Sequence, residues 1–365
     1  YAWSGLNVSS SELLGLSGLS ASDNLTIYGS NPTAASGASD TLNLNIDRAS
    51  ALTGNLTIAL LGDIDTLNSA KLKNGDSIDM GAGNDAVYLM LTGSNGTPTI
   101  GAANISKLDG GAGVDTLGFE ESGSNTGTLT LTTAGATNFE NLVGTAGAET
   151  LTGDNNDNVL EGKGGADTLN GNGGNDTLAP ETTSGGGSTN DNLYGGAGND
   201  TLLGNDGDNI LDGGTGADTI SSGSGSDTIV LRSGDGGSTQ SAGDTIATYD
   251  GSSGFTDGTD SFGLDGLTFD ALTISQSGSD TVIKKGSEFL ATLTGISASS
   301  ITALDFQSTS TDSLTLNGSS SDDSIVGGSG NDTFNGGAGS DTLIGWGGND
   351  TFNIRSKSGA YADTV

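Results

Sequence analysis

Residues 162–179 read GKGGADTLN-GNGGNDTLA, two nonapeptides in one register. Asp167 and Asp176 hold the sixth position, Thr168 and Thr177 the seventh, Leu169 and Leu178 the eighth. The register extends outward from this pair across residues 144–230. Its sixth positions are Glu149, Asn158, Asp167, Asp176, Asp191, Asp200, Asn209, Asp218 and Asp227. Its eighth positions are Leu151, Leu160, Leu169, Leu178, Leu193, Leu202, Leu211, Ile220 and Ile229. Every step is nine residues except one, which carries the six-residue insert PETTSG. A second block, residues 318–353, places Asp323, Asp332, Asp341 and Asp350 at six, and Ile325, Phe334, Leu343 and Phe352 at eight. Isolated copies stand at 80–88 (MGAGNDAVY, with Asp85) and 110–118 (GGAGVDTLG, with Asp115). Branched or aromatic side chains at one fixed phase over so many units are the mark of a solenoid.

Each unit divides into a six-residue turn and a three-residue strand. Glycine permits the left-handed backbone that such a turn needs. A three-residue strand sends one side chain inward, here the eighth. Two nonapeptides close one coil, and coils stack at the interstrand spacing of ~4.8 Å. The expected fold is all-β: a right-handed parallel β-roll in two blocks with small β-modules between them.

The GGxGxDxUx pattern of residues 144–230 and 318–353 resembles the RTX (repeats-in-toxin) calcium-binding β-roll family, and secreted bacterial surface-layer-like proteins within it. The resemblance is sporadic before Gly144. It implies Ca²⁺ held between turns of successive coils by a carboxylate and backbone carbonyls, a hard oxygen set suited to that ion. The ligands it implies are Asp85, Asp115, Asp167, Asp176, Asp191, Asp200, Asp218, Asp227, Asp323, Asp332, Asp341 and Asp350, holding on the order of ten ions. Carboxylates stacked along an edge repel one another, and three-residue strands bury little, so the metal is expected to supply folding energy. Alternate units fall on alternate edges: Glu149, Asp167, Asp191, Asn209 and Asp227 on one; Asn158, Asp176, Asp200 and Asp218 on the other. Asn209 offers no carboxylate, so its site is expected to be the weakest of the central ones.

Composition agrees. The chain of 365 residues has 45 acidic and 10 basic residues, a formal charge of −35, 65 glycines and a hydrophobic fraction of 32%. That fraction is too small for two thick cores. The acid is mostly Asp, which favours turns where Glu favours helices. With no Cys and no His, disulfides, thiolate and histidine zinc sites, and Ser-His-Asp or Cys-His catalysis are excluded. The net charge repels nucleic acid, and no apolar run approaches the ~20 residues of a membrane helix. No catalytic residue is singled out, and the protein is expected not to be an enzyme.

The expected organisation has five parts: a β-rich module with degenerate repeats (1–101), roll-associated strands and a loop (102–143), the first roll block (144–230), a β-rich capping module (231–316) and a second block that breaks off (317–365). Residues 11–19 suggest a short helix. TGTLTLTT (126–133) reads as a strand pair looping off the roll. Val282-Ile283 and Phe289-Leu290 across Lys284-Lys285-Gly286 predict a hairpin. Arg232 and Arg355, each just after a block, are expected to bond the last coil's carbonyls. The chain starts without Met and ends where the first block enters its capping module, so it reads as a piece of something longer, whose C-terminal export signal is not visible here.

The functional expectation is a secreted, calcium-binding structural protein that self-assembles into a bacterial surface layer, sheath or fibre. Calcium drives both folding and assembly in this reading. The expected partner is a second copy of the chain, with cell-surface polysaccharide as the other candidate; nucleic acid and membrane insertion are not expected. The location is extracellular, reached by type I secretion. The alternatives are a segment of a long adhesin and the calcium-binding tail of a secreted enzyme.

Overall fold

The computed structural model describes residues 6–9, 25–28, 41–45, 56–59, 65–70, 76–89, 99–100, 107–119, 127–131, 136–180, 189–248, 254–256, 258–311 and 313–353. The chain forms two compact units, Tyr1–Gly187 and Ser188–Val365. The described residues are all-β, with three short 3₁₀ turns and no α-helix.

In the first unit every strand pairing is parallel. One face stacks Leu6–Ser9, Thr41–Asn45, Thr66–Ala70, Ala86–Leu89, Thr116–Phe119, Asn141–Val143, Val159–Glu161 and Thr177–Ala179. Leu25–Tyr28, Leu56–Ala59, Ser77–Asp79, Lys107–Asp109 and Ala136–Thr137 form a second stack. Thr99–Ile100, Thr128–Thr130, Thr150–Thr152 and Thr168–Gly173 form a third. Leu129, Leu151 and Leu169 lie in one register, as do Leu142, Leu160 and Leu178. The expectation of a strand pair looping off the roll at TGTLTLTT is corrected: Thr128–Thr130 is a single strand inside the roll. The reason is Leu129, wholly buried over Leu151.

In the second unit, Asn192–Ala197, Ile210–Thr215, Thr228–Arg232, Ser261–Asp265 and Phe306–Ser308 stack in parallel. Thr201–Leu203, Thr219–Ser221, Asp244–Ile246 and Glu288–Leu293 do the same on the other face. The segment after Val230 therefore continues the coil instead of leaving it. Among the described strands, only Leu272–Ser277, Asp280–Lys285 and Glu288–Leu293 pair antiparallel with one another, including the expected hairpin. Two short parallel sheets follow: Thr315–Asn317, Thr333–Asn335 and Thr351–Phe352, and Ser324–Val326 with Thr342–Ile344.

The core is a file of single side chains. The eighth-position residues from Leu151 to Ile229 are completely buried, while their strand neighbours are at least partly exposed in most coils. Aromatics replace this file where the repeat ends: Phe255 stacks on Phe262 at 4.6 Å and Phe262 on Phe306 at 5.1 Å. Phe334 and Phe352 stack at 4.8 Å in the second block. The helix expected over 11–19, most of the insert after Pro180, and Arg355 lie outside the described residues.

Candidate metal centre

Most of the described turns are built by two left-handed residues, at positions two and four of the unit. Gly214 and Gly216 have φ of 89° and 145°, and Gly223 and Gly225 have 97° and 134°. Position one is glycine for another reason. A Cβ on Gly213 would lie 2.3 Å from Asp218 Oδ2, and one on Gly162 would lie 2.2 Å from Asp167 Oδ2. The carboxylate of each unit folds back over its own first residue.

Position six forms a ladder. The backbone N–H of Glu149 donates to Asp167 Oδ1 at 2.8 Å, that of Asn158 to Asp176 at 2.7 Å, Asp200 to Asp218 at 2.7 Å and Asn209 to Asp227 at 2.8 Å. In the second block Asp323 donates to Asp341 at 3.1 Å and Asp332 to Asp350 at 2.8 Å. The N–H of Asp191 meets the amide oxygen of Asn209 at 2.8 Å. In the isolated copies Asp85 N–H donates to Asp115 at 2.7 Å. Asp85, Asp115, Asp167, Asp176, Asp191, Asp200, Asp218, Asp227, Asp332 and Asp341 are all buried; Asp323 and Asp350 are half-buried.

A second oxygen is left over. Among the described residues, Oδ2 of Asp85, Asp115, Asp218 and Asp227 is buried without a hydrogen-bond partner. Burial, reinforced by neighbouring carboxylates, pushes Asp85 and Asp218 up to about 6 and Asp227 up to about 7. The occupant that this oxygen calls for is shown at Asn209, where the side chain ends in NH₂. That group donates to the carbonyls of Gly204 at 3.0 Å and Gly207 at 3.1 Å. Positions one and four of the turn thus aim carbonyl oxygens at the tip of the sixth side chain. With Asp at six the tip is an anionic oxygen facing carbonyls, and positive charge must come from elsewhere. No group of three or more acidic side chains placed to hold a metal ion is found among the described residues, so backbone oxygens complete the set. Carboxylate plus carbonyl oxygens is the donor set of Ca²⁺, and the residues present fit that ion. Bound there, calcium supplies the charge that neutralises the carboxylates and ties turn to turn.

Sequence reasoning missed two groups. The first extends the ladder beyond the nonapeptides. Asp65 N–H donates to Asp85 and Asp115 N–H to Glu140, each at 2.7 Å; Asp218 N–H donates to Asp244 and Asp227 N–H to Asp260, each at 3.1 Å. Asp244, buried and facing Asp218, is held well above the usual carboxylate range by burial first and by that neighbour second. The signal was present as acid–small–apolar triplets: Asp65-Thr-Leu, Glu140-Asn-Leu, Asp244-Thr-Ile and Asp260-Ser-Phe. The second group is position five, whose side chain accepts from the N–H of position five in the following coil. Examples are Ala217 to Asn199 at 2.9 Å, Ser226 to Asp208 at 2.8 Å, Asn175 to Asp157 at 2.7 Å and Asn349 to Asn331 at 2.7 Å. The recurring Asn-Asp dipeptide carries both ladders.

Arg232 does not bond carbonyls as expected; it bonds carboxylates. Its guanidinium donates to Asp212 at 2.8 Å, Asp265 at 2.7 Å and Asp235 at 3.2 Å. These acids converge where the coils widen into the following segment, and a planar fork suits them better than carbonyls.

Fold and turn chemistry together define a calcium-binding β-roll. The RTX calcium-binding nonapeptide repeat family matches the chain in four copies, at residues 143–178, 185–220, 203–236 and 317–352. The chain carries RTX repeats, which bind calcium and are typical of secreted proteins. No individual curated protein matches it.

Proposed function

We propose that this is a structural protein of a bacterial cell surface, exported and calcium-loaded, whose copies assemble into a layer, sheath or fibre. The observation that carries the reading is the continuity of the position-six ladder. It runs through repeat and non-repeat coils alike, from Asp65 to Glu140 and from Asp191 to Asp260. Within each unit one ladder thereby links coils inside the repeats with coils outside them. Thr342–Ile344 and Thr351–Phe352 stand at sheet edges among the described strands, and such edges can accept a strand from another copy. Light scattering on the purified chain, from chelator to millimolar Ca²⁺, tests the reading. Growth into large ordered species that dissolve on chelation is expected. A strictly monomeric species at high calcium and high protein concentration overturns it.

A second reading, a segment of an adhesin, is supported by one feature. A groove of about 460 Å³ on the second unit is lined by Tyr194, Ile210, Asp212, Arg232, Asp265 and Gln307, among others. Partly exposed Tyr194 beside fixed polar groups suits a sugar ring. A monomer that binds surface polysaccharide, and loses binding on Tyr194→Ala, would replace the assembly reading with this one.

A further inference from the structure

The turns are of two kinds. In the open kind, position two is left-handed: Gly81, Gly111, Lys163, Asn172, Gly196, Gly214, Gly223, Gly337 and Trp346 have φ between 61° and 108°. At Asp85, Asp115, Asp218 and Asp227 the N–H of position two makes no bond to Oδ2 of the sixth residue. Asp85, Asp115, Asp218 and Asp227, whose Oδ2 is buried and unbonded, all belong to open turns.

In the closed kind, position two is not left-handed, and its N–H donates to the sixth residue of the same turn. Thr145 N–H donates to Glu149 Oε2 at 3.2 Å, Asp154 to Asn158 Oδ1 at 2.8 Å, Ser319 to Asp323 Oδ2 at 2.6 Å and Gly328 to Asp332 Oδ2 at 2.9 Å. Hydroxyls close two of these turns further: Thr145 Oγ1 donates to Glu149 Oε1 at 2.6 Å, and Ser319 Oγ to Asp323 Oδ1 at 3.1 Å. Gly328 is glycine for a close approach, since a Cβ there would lie 2.4 Å from the carbonyl oxygen of Ser310.

The division follows position in the chain. The four closed turns seen among the described residues are the first two nonapeptides of the first block and the first two of the second. Each pair makes one coil.

We propose that the acidic residues of the leading coil of each block, Glu149, Asp323 and Asp332, ligate no calcium, and that the ion is held by the open turns. In a closed turn an N–H dipole already sits at the oxygen a cation would take. Binding there would break that bond and set a cation against a donor. At Asp85, Asp115, Asp218 and Asp227 no hydrogen bond to Oδ2 competes. The leading coil therefore has its turns satisfied without metal and offers the calcium-dependent coils a preformed surface. The inference rests on calcium binding by the repeats and is independent of assembly.

Native mass spectrometry of the full chain, counting tightly bound Ca²⁺, is the test. Asp227→Asn and Asp218→Asn should each lower the count by at least one. Asp323→Asn and Asp332→Asn, whose amide oxygen can still accept the same N–H, should leave it unchanged. Loss of an ion from either of the latter variants, or no loss from both of the former, overturns the proposal. A second measurement needs no variant: anomalous diffraction from crystals of the unsubstituted chain soaked in Tb³⁺. Peaks within about 2.5 Å of carboxylate oxygens are expected at open turns; a peak at Asp323 or Asp332 overturns the assignment.

Discussion

An aspartate at position six of an open turn, such as Asp218 or Asp227, has two oxygens with separate employments. Oδ1 caps a backbone N–H of the preceding coil, so the residue is needed for the roll even before metal is considered. Oδ2 faces turn carbonyls and needs a cation. Asn209 separates these roles, because its amide keeps the first bond and satisfies the same carbonyls by donating to them. Asn209→Asp should accordingly change sign with calcium. In chelator it removes two N–H donors and buries a charge, costing about 1–3 kcal/mol. In millimolar Ca²⁺ it adds a ligand and should raise both the affinity and the unfolding midpoint. Thermal unfolding under both conditions is the measurement; a shift in the same direction in both would show that the sixth side chain does not meet the ion.

At the scale of the element, a coil is held by one inward side chain per strand, so each one matters more than in a thick core. The aromatic stack that takes over from the aliphatic file is the most exposed to test. Phe262, wholly buried between Phe255 and Phe306, should cost about 3–5 kcal/mol on replacement by alanine. Chemical unfolding in saturating calcium would measure it, and a loss under 1 kcal/mol would mean that the segment after Val230 is not packed as part of the roll. The coils themselves were legible in the sequence, because Leu160 and Leu178 or Leu193 and Leu211 recur at a spacing that only stacking explains. The residues that carry the ladder beyond the repeats were harder to find. Asp244 and Asp260 sit in acid–small–apolar triplets, but their glycine turns are replaced by longer loops, which erases the nine-residue interval without moving the carboxylate. Closed turns were not legible at all. Gly327-Gly328 looks like any repeat opening, and only the close approach of Ser310 shows that its second glycine is not left-handed.

For the whole molecule the dominant quantity is the charge of −35, and its consequence depends on metal. Burial and like-charged neighbours raise Asp85 and Asp218 to about 6 and Asp227 to about 7, from an ordinary 3.8. In the calcium-free protein the folded form thus binds protons more tightly than the unfolded form. That contribution to stability is complete below about pH 4 and is lost as pH rises through 6 to 7. Calcium reverses the slope, since its ligands must be deprotonated. The urea midpoint in chelator should therefore be higher at pH 5 than at pH 8, and in excess calcium the order should invert. A calcium-free protein more stable at pH 8 would contradict the burial of these carboxyls.

The direction of the two side-chain ladders has a further consequence. Where these bonds form, position six receives from the coil before and position five from the coil after. A roll built this way has polarity. A first coil of open turns would present sixth-position oxygens with no earlier N–H to cap, and a last coil sixth-position N–H groups with no later oxygen to take them. The position-five ladder leaves the complementary set at each terminus. Two rolls meeting first coil to last coil continue both ladders without interruption, whereas two first coils set anion against anion. A direction along the stack is thereby written into a pair of adjacent residues, Asn-Asp.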